Sequence, residues 1–309
     1  MAARQTIKNQ AGMSSTRTMD HVTAYLMILP SIGFLAVFVL VPLFMSVSRS
    51  FTNWRFYLGS EFIGFENYRM IFQNRLFLTS IKNVLWFVVA IVPTQIILSF
   101  LFAHALKGLA PRIGSFVKTA IYVPTVISGV VASVIFLFIF NYQGGVLNYV
   151  IRQLGGKRIA FLNEPTLSRI AVSITAIWMG FGYNSLIMLA GLMNIPQSYY
   201  EAAQVDGATP LAQLLHITIP SMRNVFILIL IGQLTGTLQF FDLPYMMFGG
   251  GGGPVNATLT PMLFIYNNFK SSDYSMGYTI AGALMLMIVI GALNSIVFTL
   301  IGSEKAQDE

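Results

Sequence analysis

The 309-residue chain contains no cysteine, which excludes disulfides, iron–sulfur clusters and thiol chemistry. Charge is nearly as scarce: 9% of residues are Asp, Glu, Lys or Arg, against about 25% in a soluble domain. The three histidines, His21, His104 and His216, have no metal-site spacing, and no serine–histidine or paired-aspartate arrangement falls inside the apolar runs. No metal, cofactor or catalytic reaction is therefore expected. The phosphate-cradling pattern G-x-x-x-x-G-K-[ST] is missing, so nucleotide hydrolysis is not expected either. The net charge of +7 is spread thinly, without a basic cluster interleaved with aromatics, which argues against nucleic acid as a partner.

What remains is apolar: 55% hydrophobic residues and a mean hydropathy of +0.70. Such a chain is built for lipid, and the unit to count is the span of about 20 residues. Six runs qualify, at 24–46, 84–106, 117–140, 170–193, 223–242 and 278–301. Each must be helical, because hydrocarbon offers no partner to an unpaired amide. The fold class is therefore all-α integral membrane with six transmembrane helices, and an even count puts both termini on one side. Residues 1–23 read as a polar tail, 24–76 as the first span and an outer loop, 77–302 as the main membrane domain, and 303–309 as a second tail. Trp54, Phe56 and Tyr57 suit an aromatic belt at the outer interface. The glycine run 249–253 reads as a flexible hinge. Beyond it, Leu259, Met262, Leu263, Tyr266 and Phe269 recur at helical spacing, which predicts a short amphipathic helix at the interface.

Charge does not set the orientation. With the tail inside, inner segments hold Arg4, Lys8, Arg17, Lys107, Arg112, Lys118, Arg223 and Lys305. Outer segments hold Arg49, Arg55, Arg69, Arg75, Lys82, Arg152, Lys157, Arg158, Arg169 and Lys270. The rule that cytoplasmic loops are richer in Lys and Arg finds no bias to use.

Between the fourth and fifth runs lies EAAQVDGATPLAQLLHITIP, residues 201–220. Ser198 and Glu201 have capping-box spacing, which predicts a helix starting just after Ser198. Asp206-Gly207 supplies a positive-φ stop, Thr209-Pro210 a new helix start, and Ile219-Pro220 a close. The expectation is a rigid helix–turn–helix knob.

Glu201-Ala202-Ala203, Asp206-Gly207-Ala208, Ile217 and Pro220 at these spacings resemble the EAA loop of ABC importer permeases, residues 198–220 here. Gly191-Leu192, Ile195-Pro196, Tyr199-Tyr200, the outer-loop Phe62-Ile63-Gly64-Phe65-Glu66-Asn67-Tyr68, Gly145-Val146-Leu147-Asn148 and Phe241-Asp242-Leu243-Pro244-Tyr245 resemble its carbohydrate-uptake branch. Ile219 and Asn224 depart from the usual leucine and proline. The resemblance implies a type I ABC importer permease fold of the maltose-type family in a prokaryotic plasma membrane, with both termini cytoplasmic. It implies coupling through Glu201, Ala202, Ala203, Asp206, Gly207, Ala208, Ile217 and Pro220 to two ATP-binding subunits. A second homologous permease forming a heterodimer, an extracytoplasmic sugar-binding protein and a carbohydrate substrate complete the implied assembly. On this topology Glu201 caps its helix and pairs with a basic group on the ATPase.

Polar groups enter the fourth and fifth runs at Trp178, Gly180, Gly182, Tyr183, Asn184, Ser185, Gln233, Thr235, Thr237 and Gln239. Two readings stand side by side. Gly232-x-x-x-Gly236 and these groups hold helices together, or Gly180, Tyr183, Asn184, Gln233 and Thr237 line a sugar path, the resemblance implying sugar contacts at Gly180, Tyr183, Gln233 and Thr237. A sodium-coupled secondary transporter is the alternative from another class. Span interiors without Asp, Glu, Lys or Arg argue against it, Asp242 at the end of the fifth run being the nearest. A subunit with no substrate path of its own is a third.

Overall fold

One helix runs through each of the three apolar clusters found among the described residues. The computed structural model describes residues 23–55, 59–271 and 274–302, and that helix is Arg75–Lys107. Its Phe77 and Val84 join one cluster, Phe87 and Ile91 a second, and Ala103 and Leu106 a third. At 33 residues it is about 50 Å long, well beyond the hydrocarbon core. Asn74 caps its start, accepting from the amides of Leu76 (2.9 Å) and Phe77 (3.4 Å).

Around this spine the named elements are helical, and Thr52 and Phe62 form an antiparallel bridge. In chain order they are α1 (Thr23–Ser50), α2 (Glu66–Gln73), α3 (the spine), α4 (Pro111–Val126), α5 (Gly129–Phe140), α6 (Val146–Gln153) and α7 (Pro165–Met193). Then come α8 (Gln197–Val205), α9 (starting Pro210–Gln213), α10 (Arg223–Leu238), α11 (Asp242–Phe248), α12 (Pro261–Lys270) and α13 (Met276–Gly302). Five stretches are long and apolar enough to cross a membrane: α1, α3, α7, α10 with α11, and α13. Spine and α7 pack along each other, with α10 and α13 completing the bundle. The membrane window of α1 has no buried residue, so this span sits at the periphery.

The run 117–140, expected as one span, is two helices. α4 and α5 meet at 98° across a break at Ile127-Ser128. Pro124 has no amide to continue the ladder, and Ser128 restarts it by accepting from Val131 at 3.3 Å. The run expected at 223–242 continues past a break at Gln239–Phe241 to Phe248. Two further irregularities also trace to proline. π-Helical turns at Ala36–Leu40 and Leu214–Thr218 lie just before Pro42 and Pro220. Widening the turn keeps each proline ring off the carbonyl four residues back, that of Phe38 or His216.

The glycine run is a built turn, not a flexible hinge. Gly249, Gly250, Gly252 and Gly253 all have φ between 61° and 83°. A Cβ on Gly252 would press Leu259 Cβ at 2.8 Å, and one on Gly253 would press Thr258 Oγ1 at 2.9 Å. The loop is pinned from the bundle by Arg169 on α7. Its Nε donates to the Ala257 carbonyl and its Nη2 to Asn83 Oδ1, each at 2.9 Å. Asn83 in turn donates to the carbonyls of Asn256 and Leu259. Arg169→Leu strips this node of its charged donor and is expected to cost about 2–3 kcal/mol, read as a lower unfolding temperature in detergent. Arg169→Lys, lacking the two-pronged fork, should recover only part.

The helix expected after the run is α12, and of the expected stripe Leu259 and Leu263 are buried and Tyr266 half-buried. Pro261, Leu263, Phe264, Ile265 and Asn268 are buried, whereas Met262 and Phe269 are exposed. The 3.6-residue pattern located the helix but drew its inner face through Met262 and Phe269 as well, where Phe264, Ile265 and Asn268 are buried instead. Phe56, Tyr57, residues 1–22 with His21, and residues 303–309 lie outside the described residues.

Candidate functional site

Two places gather the residues singled out by sequence. The first is the connection between α7 and α10. α8 begins at Gln197 with Pro196 at its cap position, and no side-chain capping bond forms there. The expected Ser198–Glu201 box is thus absent, because Pro196 already sets the entry and places Ser198 inside the first turn. The helix end follows expectation. Gly207 takes φ +79°, its amide donates to Gln204, and the amide of Ala208 donates to Ala203 at 2.8 Å. This pair of bonds closes a helix terminus that only a left-handed residue permits. Thr209 then caps α9, accepting from Ala212, with Pro210 in the first position. Ile219-Pro220 does not close the unit. The helix runs on through the π turn and a short turn at Ile219–Ser221 into α10.

The two arms are tied by a hydrogen bond between Tyr200 Oη and Thr218 Oγ1 at 2.9 Å, and Lys107 at the end of the spine lies 4.8 Å over the Tyr200 ring. No residue of α8 is buried. Glu201, Ala202, Asp206 and Gly207 are exposed, and Ala203, Ala208 and Ile217 half-buried. Val205 (87% exposed) and Leu211 (64%) offer apolar side chains to whatever lies beyond. A tied pair of helices with bare alanines and unburied aliphatic groups is a surface shaped for a protein contact.

The second place is an open cavity of about 400 Å³ lined by α3, α7, α10 and the breaks in the third and fifth spans. Gly180, Gln233 and Thr237 line it, as the four-residue spacing of the last two requires. Tyr183 and Asn184 do not. Tyr183 lies on the stripe of Ala176, Met179 and Gly180 but is half exposed, one turn nearer the α8–α9 connection. Asn184 is 2% exposed in the core. Gly236 faces the cavity and a Cβ on Gly232 would meet nothing within 4 Å, so the G-x-x-x-G pair does not pack helices within this chain. Helix bonding falls instead to Thr235, which accepts from Asn294 of α13 at 2.7 Å.

Sequence reasoning missed Gln95, Thr125 and Phe241 as lining residues, and placed Gln239 and Asp242 nearby without assigning them here. Gln95 is the one polar group the spine gives the cavity, and its amide fills the space that a side chain at Gly180 would occupy. Asp242 packs against Gly129 at the start of α5, where a Cβ would lie 3.3 Å from its own. The lining thus offers three amides, two hydroxyls, one carboxylate and the rings of Phe240 and Phe241, with no Lys or Arg. Amides that donate and accept, beside aromatic faces, suit a ligand rich in hydroxyl groups.

These features define a polytopic helical membrane protein with an open cavity carrying polar groups among its spans and an exposed helix–turn–helix at one end of the bundle. Residues 84–302 match the model of the binding-protein-dependent transport system inner membrane component family, and the chain belongs to that family. It is a translocation subunit with the type I ABC importer permease fold, and ATP hydrolysis resides on separate subunits. It is 32% identical over 281 residues to the lactose transport system permease protein LacF of Rhizobium radiobacter, covering 90% of this chain and 94% of that one. It is 31% identical to the probable ABC transporter permease protein YurN of Bacillus subtilis, covering 89% and 94%. Its fold matches a chain of a bacterial ABC transporter involved in import of the acidic polysaccharide alginate. That match has a TM-score of 0.80 at 21% identity, over 95% of this chain and 99% of that one.

Proposed function

We propose that this chain is one of two six-span permease subunits of an ABC importer that carries a carbohydrate across a prokaryotic plasma membrane. Two ATPase subunits grip the 198–220 loops of this chain and of a second, homologous permease. Both termini then face the cytoplasm, and an extracytoplasmic binding protein delivers sugar to the opposite face. The observation carrying this reading is the α8–α9 unit, a fully closed turn at Gly207 beneath a helix with no buried residue. Glu201 stands exposed to pair with a basic group of the ATPase, and Ala202, Ala203 and Ala208 allow close approach. The cavity supports a carbohydrate, and lactose in the name of one relative points the same way. Gly180, Gln233 and Thr237 form the path in this chain, and Tyr183 stands outside its floor. Nucleotide drives transport only by stabilising one arrangement of the spans over the other.

The sodium-coupled alternative has no support in the family. The test is uptake of labelled sugar into proteoliposomes holding the assembled transporter. ATP and binding protein should drive it and a sodium gradient should not. Uptake that follows sodium in the absence of ATP would sink the reading.

A further inference from the structure

The face opposite the coupling loop carries a basic cluster that the transport reading does not use. Arg152, Lys157 and Arg158, with Tyr142, line an outward pocket of about 470 Å³. It lies in the connection from α5 to α7, whose other end is the 198–220 loop, so the length of α7 separates the two. All three cations are exposed. Glu164 is the one acidic residue in segment 141–164, and it does not line the pocket. Cations on the outer side run against the usual placement of Lys and Arg in cytoplasmic loops.

The cluster is held on a rigid frame. α6 ends in the same closed turn as α8: Gly155 has φ +80°, its amide donates to Arg152, and that of Gly156 donates to Ile151 at 2.9 Å. A Cβ on Gly156 would lie 2.7 Å from Ile151 Cγ2. On the far side, buried Asn148 exchanges bonds with Ile159 in both directions, at 2.8 and 2.9 Å, and donates to the Asn141 carbonyl. Arg158 lies 6.0 Å over the Tyr142 ring. The backbone that displays the three cations around this concave surface is thereby held in place, with nothing acidic in the lining to neutralise them.

From this geometry we infer that the Arg152–Lys157–Arg158 pocket is the electrostatic anchor for an acidic surface of the extracytoplasmic binding protein. The inference rests on the proposed function, which supplies that partner. Cations displayed from a fixed backbone in a concave surface match carboxylates on a folded partner, whereas a fluid layer of lipid headgroups needs no such frame. Complementary charge of this kind sets encounter rate and register, and salt screens it.

The test uses the assembled transporter in phosphatidylcholine nanodiscs and the soluble binding protein encoded with it. Binding of the parent should weaken about tenfold between 50 and 300 mM salt. The triple variant Arg152→Gln, Lys157→Gln, Arg158→Gln should bind about tenfold more weakly at low salt, with a flattened salt dependence. ATPase subunits should copurify with it undiminished, which shows the membrane fold intact. A variant matching the parent in affinity and salt slope overturns the anchor and leaves the transport reading standing. If the substitutions alter only a response to added phosphatidylglycerol, the cluster serves lipid and the anchor is again overturned. A parent that copurifies with ATPase yet binds no binding protein at any salt overturns both the anchor and that partner.

Discussion

A chain carrying Gly207→Pro should insert into the membrane yet bring no ATPase subunit with it on purification. The turn requires φ near +79°, and proline is locked near −65°. Proline also removes the amide that donates to Gln204, and the neighbouring Ala208–Ala203 bond cannot survive the change of direction. α8 and α9 would then leave at a different angle, breaking the Tyr200–Thr218 tie. Crowding plays no part, since a Cβ at Gly207 would meet nothing within 4 Å. Gly207→Ala therefore isolates the backbone cost, about 1–2 kcal/mol for a left-handed alanine, and should keep most of the ATPase. Copurification of both variants, with insertion checked separately, reads the difference. Full ATPase recovery with Gly207→Pro would mean that the docking surface does not depend on this turn.

Gly182→Val should leave little folded protein. A Cβ there would collide with the Ile121 carbonyl oxygen and lie 3.1 Å from the Tyr122 amide, both backbone atoms of α4. Backbone cannot rotate aside as a side chain can, so α4 and α7 must separate. Overpacking of this kind costs about 3 kcal/mol or more, and monodisperse yield in detergent should fall sharply. Gly180→Ala is the control in the same helix. Its Cβ meets only the flexible end of Gln95, so the protein should fold with an altered cavity. Equal yields from Gly182→Val and the parent would contradict the close α4–α7 approach.

The 198–220 loop was legible because its grammar is local. Gly207, Thr209 and Pro210 each act through their own backbone angles or a bond three residues away, so order in the chain was enough. The Ser198–Glu201 box used the same grammar and failed because Pro196 fixed the helix entry two residues earlier. The bend at Ile127-Ser128 was not legible, since the run is apolar throughout and prolines such as Pro124 are tolerated in spans. Gly249–Gly253 misled in the other direction: glycine needed for positive φ and close packing has the same composition as glycine in a loose linker.

At the cavity, Gln233 and Thr237 announced themselves by spacing. Gln95 did not, because one amide in a long apolar helix gives no pattern, and its role depends on the empty position at Gly180 across the bundle.

The absence of cysteine makes the most direct test a clean one. Val205, the most exposed apolar residue of α8, can be changed to Cys as the sole thiol and cross-linked in membranes with a short bifunctional reagent. If the α8–α9 knob is the coupling element, Val205→Cys should form an adduct with an ATP-binding subunit, lost when Gly207→Pro is added. A Val205→Cys chain that supports sugar uptake and yields no ATPase adduct would contradict the account.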